Sequence, residues 1–255
     1  MKKLIKYVIS DILRNKIVIA YTIFLLLFSF GLFLVEEIPE KSLMSLLTLN
    51  LTLVPLVSVM FSTIYIYNSS EFIELLAAQP IKRNQLWLSL FLGLSFALSI
   101  AFFIGCGIPI LIFSANGIGI SMLITGIILS IIFVSISLFS SVYIKDKTKG
   151  IGASLLIWLF FTILFDGLVL FLLFQLLDYP LEKLIVVLSI LNPVDLVRIV
   201  SLLQMDISAL MGATTAVFKK SFSGNIGSLV TYGILLLWII IPFFISMRKF
   251  NKKDL

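Results

Sequence analysis

The sequence predicts an all-α membrane protein: six transmembrane helices preceded by an amphipathic helix at the membrane interface. Three observations carry that expectation. Apolar residues make up 60 % of the chain and charged residues only 13 %, about half the charged share of an ordinary soluble domain. Six apolar runs, at 17–35, 43–67, 86–113, 118–144, 151–177 and 228–247, are each long enough to cross ~30 Å of hydrocarbon as a helix. Basic residues then collect in alternate connections between the runs, the pattern that orients a membrane chain.

The first sixteen residues form a two-faced helix. Leu4, Ile5, Val8, Ile9, Ile12 and Leu13 share one side, and Lys2, Lys3, Lys6, Ser10 and Arg14 the other, as in a helix lying at the bilayer surface. A signal peptide fits less well. The run 17–35 is too long for its apolar core, and it ends in Glu36-Glu37-Ile38-Pro39-Glu40 without a small-residue cleavage site.

Segments 1–16, 68–85, 145–150 and 248–255 hold 14 of the 19 basic residues. The remaining connections hold Lys41, Lys183, Arg198, Lys219 and Lys220. Both termini are therefore expected in the cytoplasm, with the chain embedded in a bacterial inner membrane. The net charge of +6 is an orientation signal, and nucleic acid is not an expected partner. One domain, 1–255, accounts for the chain, because no segment is polar and long enough for a separate soluble unit.

Two connections are long enough to carry function. The cytoplasmic one, 69–84, contains a helix-forming stretch from Glu71 to Leu76, broken by Gln79-Pro80 before Lys82 and Arg83 lead into the third span. The outer one, 178–227, holds an apolar piece at 184–191 that is too short to span, followed by the turn or helix-start signal Asn192-Pro193. Such pieces cap the outer face as re-entrant or surface helices.

Within the spans, Ser89, Gly93, Ala97, Ala101 and Gly105 recur every four residues. They form a smooth ridge that lets another backbone approach, either inside the chain or at a homodimer or gating seam. Asp166 is the one acidic residue inside an expected span, about midway along 151–177. A carboxylate at mid-bilayer costs about 2.5–3.5 kcal/mol, so Asp166 belongs to a cargo path or to a buried packing contact, with no intramembrane Lys or Arg expected beside it. Hydroxyls gather on the second span (Thr52, Ser58, Ser62, Thr63, beside Asn50) and on the fourth (Ser130, Ser135, Ser137, Ser140, Ser141). They line a pore or bond to their own helices.

Enzyme chemistry finds little material. There is no histidine and one cysteine, Cys106, which excludes His-based triads, zinc–His sites and an internal disulfide. No metal site is expected. No G-x-x-x-x-G-K-[ST] occurs. Asp146-Lys147-Thr148-Lys149-Gly150 matches the phosphorylated motif of P-type ATPases only superficially, because the loop lacks the large domains which that chemistry needs.

The chain resembles the permease subunits of type-2 ABC exporters. It has the basic entry helix, six spans, a docking segment after the second span and a long outer loop before the last. Finer matches resemble the branch that supports maturation of nitrous oxide reductase in denitrification. They are Glu74-Leu75-Leu76-Ala77-Ala78-Gln79-Pro80-Ile81-Lys82-Arg83, Phe165-Asp166-Gly167-Leu168, Asn192-Pro193-Val194-Asp195-Leu196-Val197-Arg198 and Ala209-Leu210-Met211-Gly212-Ala213-Thr214-Thr215-Ala216-Val217-Phe218.

The resemblance implies the type-2 exporter permease fold and a homodimer. Two ATP-binding subunits would dock on Glu71, Phe72, Glu74, Leu75, Gln79, Pro80 and Arg83 and would hold the ATP and magnesium, leaving this chain without a cofactor. It also implies a periplasmic β-helical accessory protein on the outer face, with Asn192, Asp195, Arg198 and Met211 as candidate contacts. The cargo would be a sulfur or copper species for the copper–sulfur centre of the reductase. A generic lipid, peptide or drug exporter and a non-transporting scaffold are the competing readings.

Overall fold

The computed structural model describes residues 2–36, 38–79, 82–175, 182–204 and 225–252, all helical or connecting, with no strand among them. Helix α1 (Lys2–Leu13) is followed by α2 (Lys16–Val35) and α3 (Pro39–Asn68), and then by the short α4 (Ser70–Ala77). Helix α5 runs through Arg83–Phe102, a π-helical turn at Phe103–Gly107, and Ile108–Phe113. Helix α6 (Gly117–Tyr143) is continuous, whereas α7 runs through Lys147–Leu159, a π turn at Phe160–Leu164, and Phe165–Gln175. Two short helices, α8 (Glu182–Ile190) and α9 (Pro193–Gln204), precede the last, α10 (Asn225–Asn251). Six of these helices are long and apolar enough to cross a membrane, and the chain is a multi-pass membrane protein.

Helix starts follow local chemistry. The Asn15 side chain accepts from the Ile17 amide at the head of α2, Asn116 from the Gly119 amide at the head of α6, and Asp146 from the Lys149 amide at the head of α7. Each satisfies a backbone donor that has no intrahelical partner. Pro39 occupies the first turn of α3, where its missing N–H costs nothing. The Asp146 cap starts α7 four residues before the expected boundary. Asp166 consequently lies past the midpoint of this helix, on its far half.

Helix α6 is the hub, with α3, α5, α9 and α10 packed around it. Its most apolar window is 72 % buried, against 11 % for α7, so α7 turns most of its surface away from the chain. Between α3 and α6 several of the clustered hydroxyls are hydrogen-bonded in the packing, whereas Ser62 Oγ is buried without a partner among the described residues. Thr63 and Ser137 bond across the seam at 3.0 Å, Ser130 and Ser141 donate to carbonyls one turn back, and Ser135 donates to the Ile239 carbonyl of α10 at 2.7 Å. These side chains are buried, and only Thr52 of the group is exposed. The hydroxyl rows therefore form a packing seam in this chain.

The small-residue ridge of α5 is also buried within the chain. Val8 of α1 sits where a Cβ on Gly93 would go, and Leu25 of α2 does the same at Gly105. Val8 and Ile12, on the apolar face of α1, are fully buried, so the interface helix is held by α5 as well as by any membrane surface. At the end of the bundle that carries both termini, Trp87 joins α5 to α10. Its Nε1 donates to Ser246 Oγ at 3.0 Å, and its ring stacks on Phe250 at 4.3 Å.

Candidate functional site

The terminal end of the bundle presents α4. Its eight residues form a full helix because Glu71, Glu74, Leu75, Leu76 and Ala77 are good helix formers, and the chain turns at Ala78-Gln79. Ile73 is the one buried side chain and anchors the helix to the bundle. Phe72 leans on Tyr7 of α1, with ring centroids 5.7 Å apart. Leu75 is 68 % exposed, and Glu71, Glu74 and Gln79 are exposed as well. Arg83 is half-buried, and its guanidinium donates to the Asn251 carbonyl at the end of α10, at 3.2 Å. Glu71, Glu74, Leu75, Ala77, Ala78 and Arg83 together line a groove of about 520 Å³. Four of the seven docking candidates, Glu71, Glu74, Leu75 and Arg83, thus line this groove; Phe72 and Gln79 are not among its lining residues, and Pro80 lies outside the described residues.

A large exposed leucine beside two carboxylates, with an arginine lining the same groove, suits an amphipathic partner surface better than solvent. The root of α4 is fixed by Tyr67, the penultimate residue of α3. Its hydroxyl donates to the Ile144 carbonyl at 2.7 Å. Its ring occupies the space a Cβ on Gly150 would need, so α4 and the first turns of α7 meet at one phenol. A cavity of about 450 Å³ opens beside it, lined in part by Ser70, Glu74, Trp87, Lys145 and Lys147.

The far end carries a second constellation. Asp166, expected without a basic partner, is paired: Arg198 Nη2 lies 2.8 Å from its Oδ2. Arg198 Nη1 lies 2.9 Å from Asp195 Oδ1. The expectation failed because it searched the spans alone. Arg198 stands on α9, which is too short to span and packs back onto α3, α6 and the π turn of α7. Two carboxylates divide one guanidinium, leaving a formal charge of −1 when both acids are ionised. Burial pushes the Asp195 carboxyl up to about 6; Arg198 pulls it down, and the neighbouring Asp166 raises it further.

Asn192 works beside this cluster. Its Oδ1 accepts from the Val194 amide and starts α9, and its Nδ2 donates to the Phe161 carbonyl at 2.9 Å. That carbonyl belongs to the π turn, whose altered ladder makes a backbone acceptor available to a side chain. Asn192 is fully buried and the Asp195 side chain is 9 % exposed. These two residues thus face inward, and only Arg198, at 34 %, reaches the surface where an outer partner was expected. Met211 lies outside the described residues.

Between α3, α7 and α9 a cavity of about 390 Å³ is bordered by Ser45, Thr48, Thr52, Thr162 and Arg198, with Met44 and Leu202 among its apolar walls. Thr48, Thr52 and Thr162 each donate to the carbonyl four residues earlier, so each hydroxyl oxygen keeps its capacity to accept a hydrogen bond. Sequence reasoning missed Tyr67, Thr48 and Thr162. The Asp195–Arg198 pair was legible as an i, i+3 spacing on one helix, but nothing local signalled the two π turns.

Comparison with known proteins agrees with this architecture. The chain is similar to the probable ABC transporter permease protein NosY of Stutzerimonas stutzeri, with 25 % identity covering 96 % of this chain and 95 % of that protein. It is also similar to the probable ABC transporter permease protein NosY of Pseudomonas aeruginosa PAO1, with 28 % identity covering 80 % of this chain and 82 % of that one. The profile of the ABC-2 family transporter proteins matches residues 50–255. That match takes in the α4 groove, the central hub and the far-end ion cluster, and the chain belongs to the ABC-2 transporter family as a permease subunit.

Proposed function

We infer that this permease works with ATP-binding subunits docked on the α4 groove and supports maturation of the copper–sulfur centre of nitrous oxide reductase. The observation that carries the reading is the end-to-end similarity to NosY permeases, which spans both the docking helix and the outer region. ABC-2 permeases lack an ATPase domain, so the driving chemistry, with its ATP and magnesium, lies in the partner.

In this reading two copies form a homodimer in a bacterial inner membrane, with both termini and α4 in the cytoplasm. Nucleotide binding closes the ATP-binding subunits and carries α4 with them. Tyr67 passes that movement to α7 through Ile144 and Gly150, and α7 meets the ion cluster at the outer end. A pair of charges, each one-third exposed, is poorly solvated by lipid tails. The face made by Thr48, Thr52, Thr162 and Arg198 therefore turns toward a water-filled space between copies and forms the cargo path. Of the two cargo classes, donor chemistry favours a sulfur species. Copper prefers imidazole, thiolate or thioether ligands; this chain has no histidine, a single buried thiol, Cys106, and seven scattered methionines, of which Met44 borders the cavity. The outer region, 178–227, seats a periplasmic β-helical protein.

Identities of 25 % and 28 % favour a second reading, a generic ABC-2 exporter with another cargo. The test is a mild-detergent pull-down of the tagged chain expressed with its neighbouring genes, followed by mass spectrometry and an ATPase assay. Recovery of an ATP-binding subunit with a periplasmic repeat protein supports the maturation role. Recovery of the ATPase alone supports the generic exporter, and recovery of neither from a folded sample contradicts both.

A further inference from the structure

The cavity of about 450 Å³ beside Tyr67 lies where five spans meet the water boundary. Helices α3, α6 and α10 end around it, at Asn68, Tyr143 and Asn251, while α5 starts at Arg83 and α7 at Lys147. That is the depth at which phospholipid headgroups lie. The floor is buried and mainly apolar, made by Ile66, Ile73, Val142, Trp87 and Phe250. The mouth is exposed and charged, with Lys145 from the α6–α7 link, Lys147 at the head of α7 and Glu74 from α4.

The other polar groups of the lining have already spent their donors. The hydroxyls of Tyr67, Ser70 and Ser141 donate to the Ile144, Tyr67 and Ser137 carbonyls, and the Trp87 indole donates to Ser246. The three charged groups are different. Among the described residues, none of them is in an ion pair. Asp146, which stands between the two lysines, is not in the lining and caps the Lys149 amide instead.

We propose that this cavity is a binding site for the phosphodiester headgroup of an anionic phospholipid, with Lys145 and Lys147 on the phosphate oxygens and the headgroup hydroxyls on Glu74. Charge selects the class. Two ammonium groups and one carboxylate sum to +1, which a single phosphodiester neutralises and a zwitterionic headgroup does not. A hydroxylated headgroup such as phosphoglycerol also brings donors for the Glu74 carboxylate. Depth and floor select the source. A lipid covers the apolar floor with its glycerol ester and first methylenes, whereas a free phosphate leaves that surface wet. Basic pockets between transmembrane helices suit anionic headgroups for the same reasons. The site requires only a multi-pass membrane chain, so it stands apart from the cargo and from the docking of α4. Its occupant would lie against Tyr67, where α4 is rooted.

The test uses the purified chain in mild detergent, with the affinity for the first bound lipid read by native mass spectrometry. The parent should bind phosphatidylglycerol about tenfold or more tightly than phosphatidylcholine. Lys145→Ala/Lys147→Ala should lose about tenfold or more of that affinity, and Lys145→Arg/Lys147→Arg should keep it. Lys149→Ala/Lys249→Ala removes the same charge from the same end but outside the lining, and it should bind like the parent. Should the first double variant fail to fold, Lys145→Gln and Lys147→Gln alone are each expected to lose about threefold or more. Equal losses in the two alanine pairs overturn the site, because net charge alone then attracts the lipid. Parent-like affinity in Lys145→Ala/Lys147→Ala overturns it as well. So does a parent without preference for phosphatidylglycerol, which would leave the lysines to an acidic side chain of a partner protein. Full displacement of the lipid by millimolar inorganic phosphate overturns the lipid as the source of the phosphate group.

Discussion

The Val8 side chain fills the space beside Gly93 that any larger residue would claim, and with the buried Ile12 it seats α1 on α5. Gly93→Leu is expected to destabilise the protein by about 1–3 kcal/mol through overpacking, read as a lower melting temperature in detergent. Val8→Ala in the same chain should recover part of the loss. Trp87 gives a second test at this scale. Ser246→Ala leaves its buried indole N–H without its 3.0 Å acceptor and should cost about 1–3 kcal/mol, again measured by thermal melting. The ridge containing Gly93 was legible because four-residue spacing defines a helix face. Its partners were not, because Val8 and Leu25 are ordinary apolar residues many positions away. Asp166 shows the same limit in electrostatic form. Its cost in a membrane was readable from one position, but its counter-charge is 32 residues distant on a helix that does not span.

In the proposed mechanism, helices α4 and α7 carry the coupling between the two ends. The sequence marks α4 through its helix formers and through Gln79-Pro80, and the structure adds how it is rooted, at Tyr67. Tyr67→Phe removes the hydroxyl bond to Ile144, and Gly150→Val drives the ring from its seat. Both should leave the ATP-binding subunit attached while reducing permease-stimulated ATP hydrolysis severalfold, as a paired pull-down and ATPase assay would read. Loss of attachment would instead place Tyr67 in the docking surface itself. The six long helices were readable from hydropathy because every backbone group in a bilayer must be paired within the chain. Their interruptions were not. The π turns at Phe103–Gly107 and Phe160–Leu164 contain no proline, and the second becomes significant only when Asn192 binds its carbonyl.

At the scale of the whole molecule, burial is lopsided: α6 is enclosed and α7 is open. An open helix beside a charge pair calls for a second copy across a wet seam. A native mass of the purified complex is therefore expected to contain two permease chains and two ATP-binding subunits, and one permease per complex would contradict the dimer. Fold class was legible at this scale from composition and run length alone. The proposed docking segment was marked in the sequence, and the structure adds a groove in which Arg83 lies beside Glu71 and Glu74. The central claim is that this groove transmits the work of ATP hydrolysis. Its most direct test is the ATPase rate of the reconstituted complex with Glu71→Lys/Glu74→Lys against the unaltered chain, with assembly followed in parallel. Losing one partner of a hydrogen-bonded charge pair that an interface buries costs about 2–5 kcal/mol. The account thus predicts loss of the ATP-binding subunit from the complex, or a fall of about tenfold or more in stimulated hydrolysis. Intact assembly with unchanged stimulated hydrolysis would contradict it.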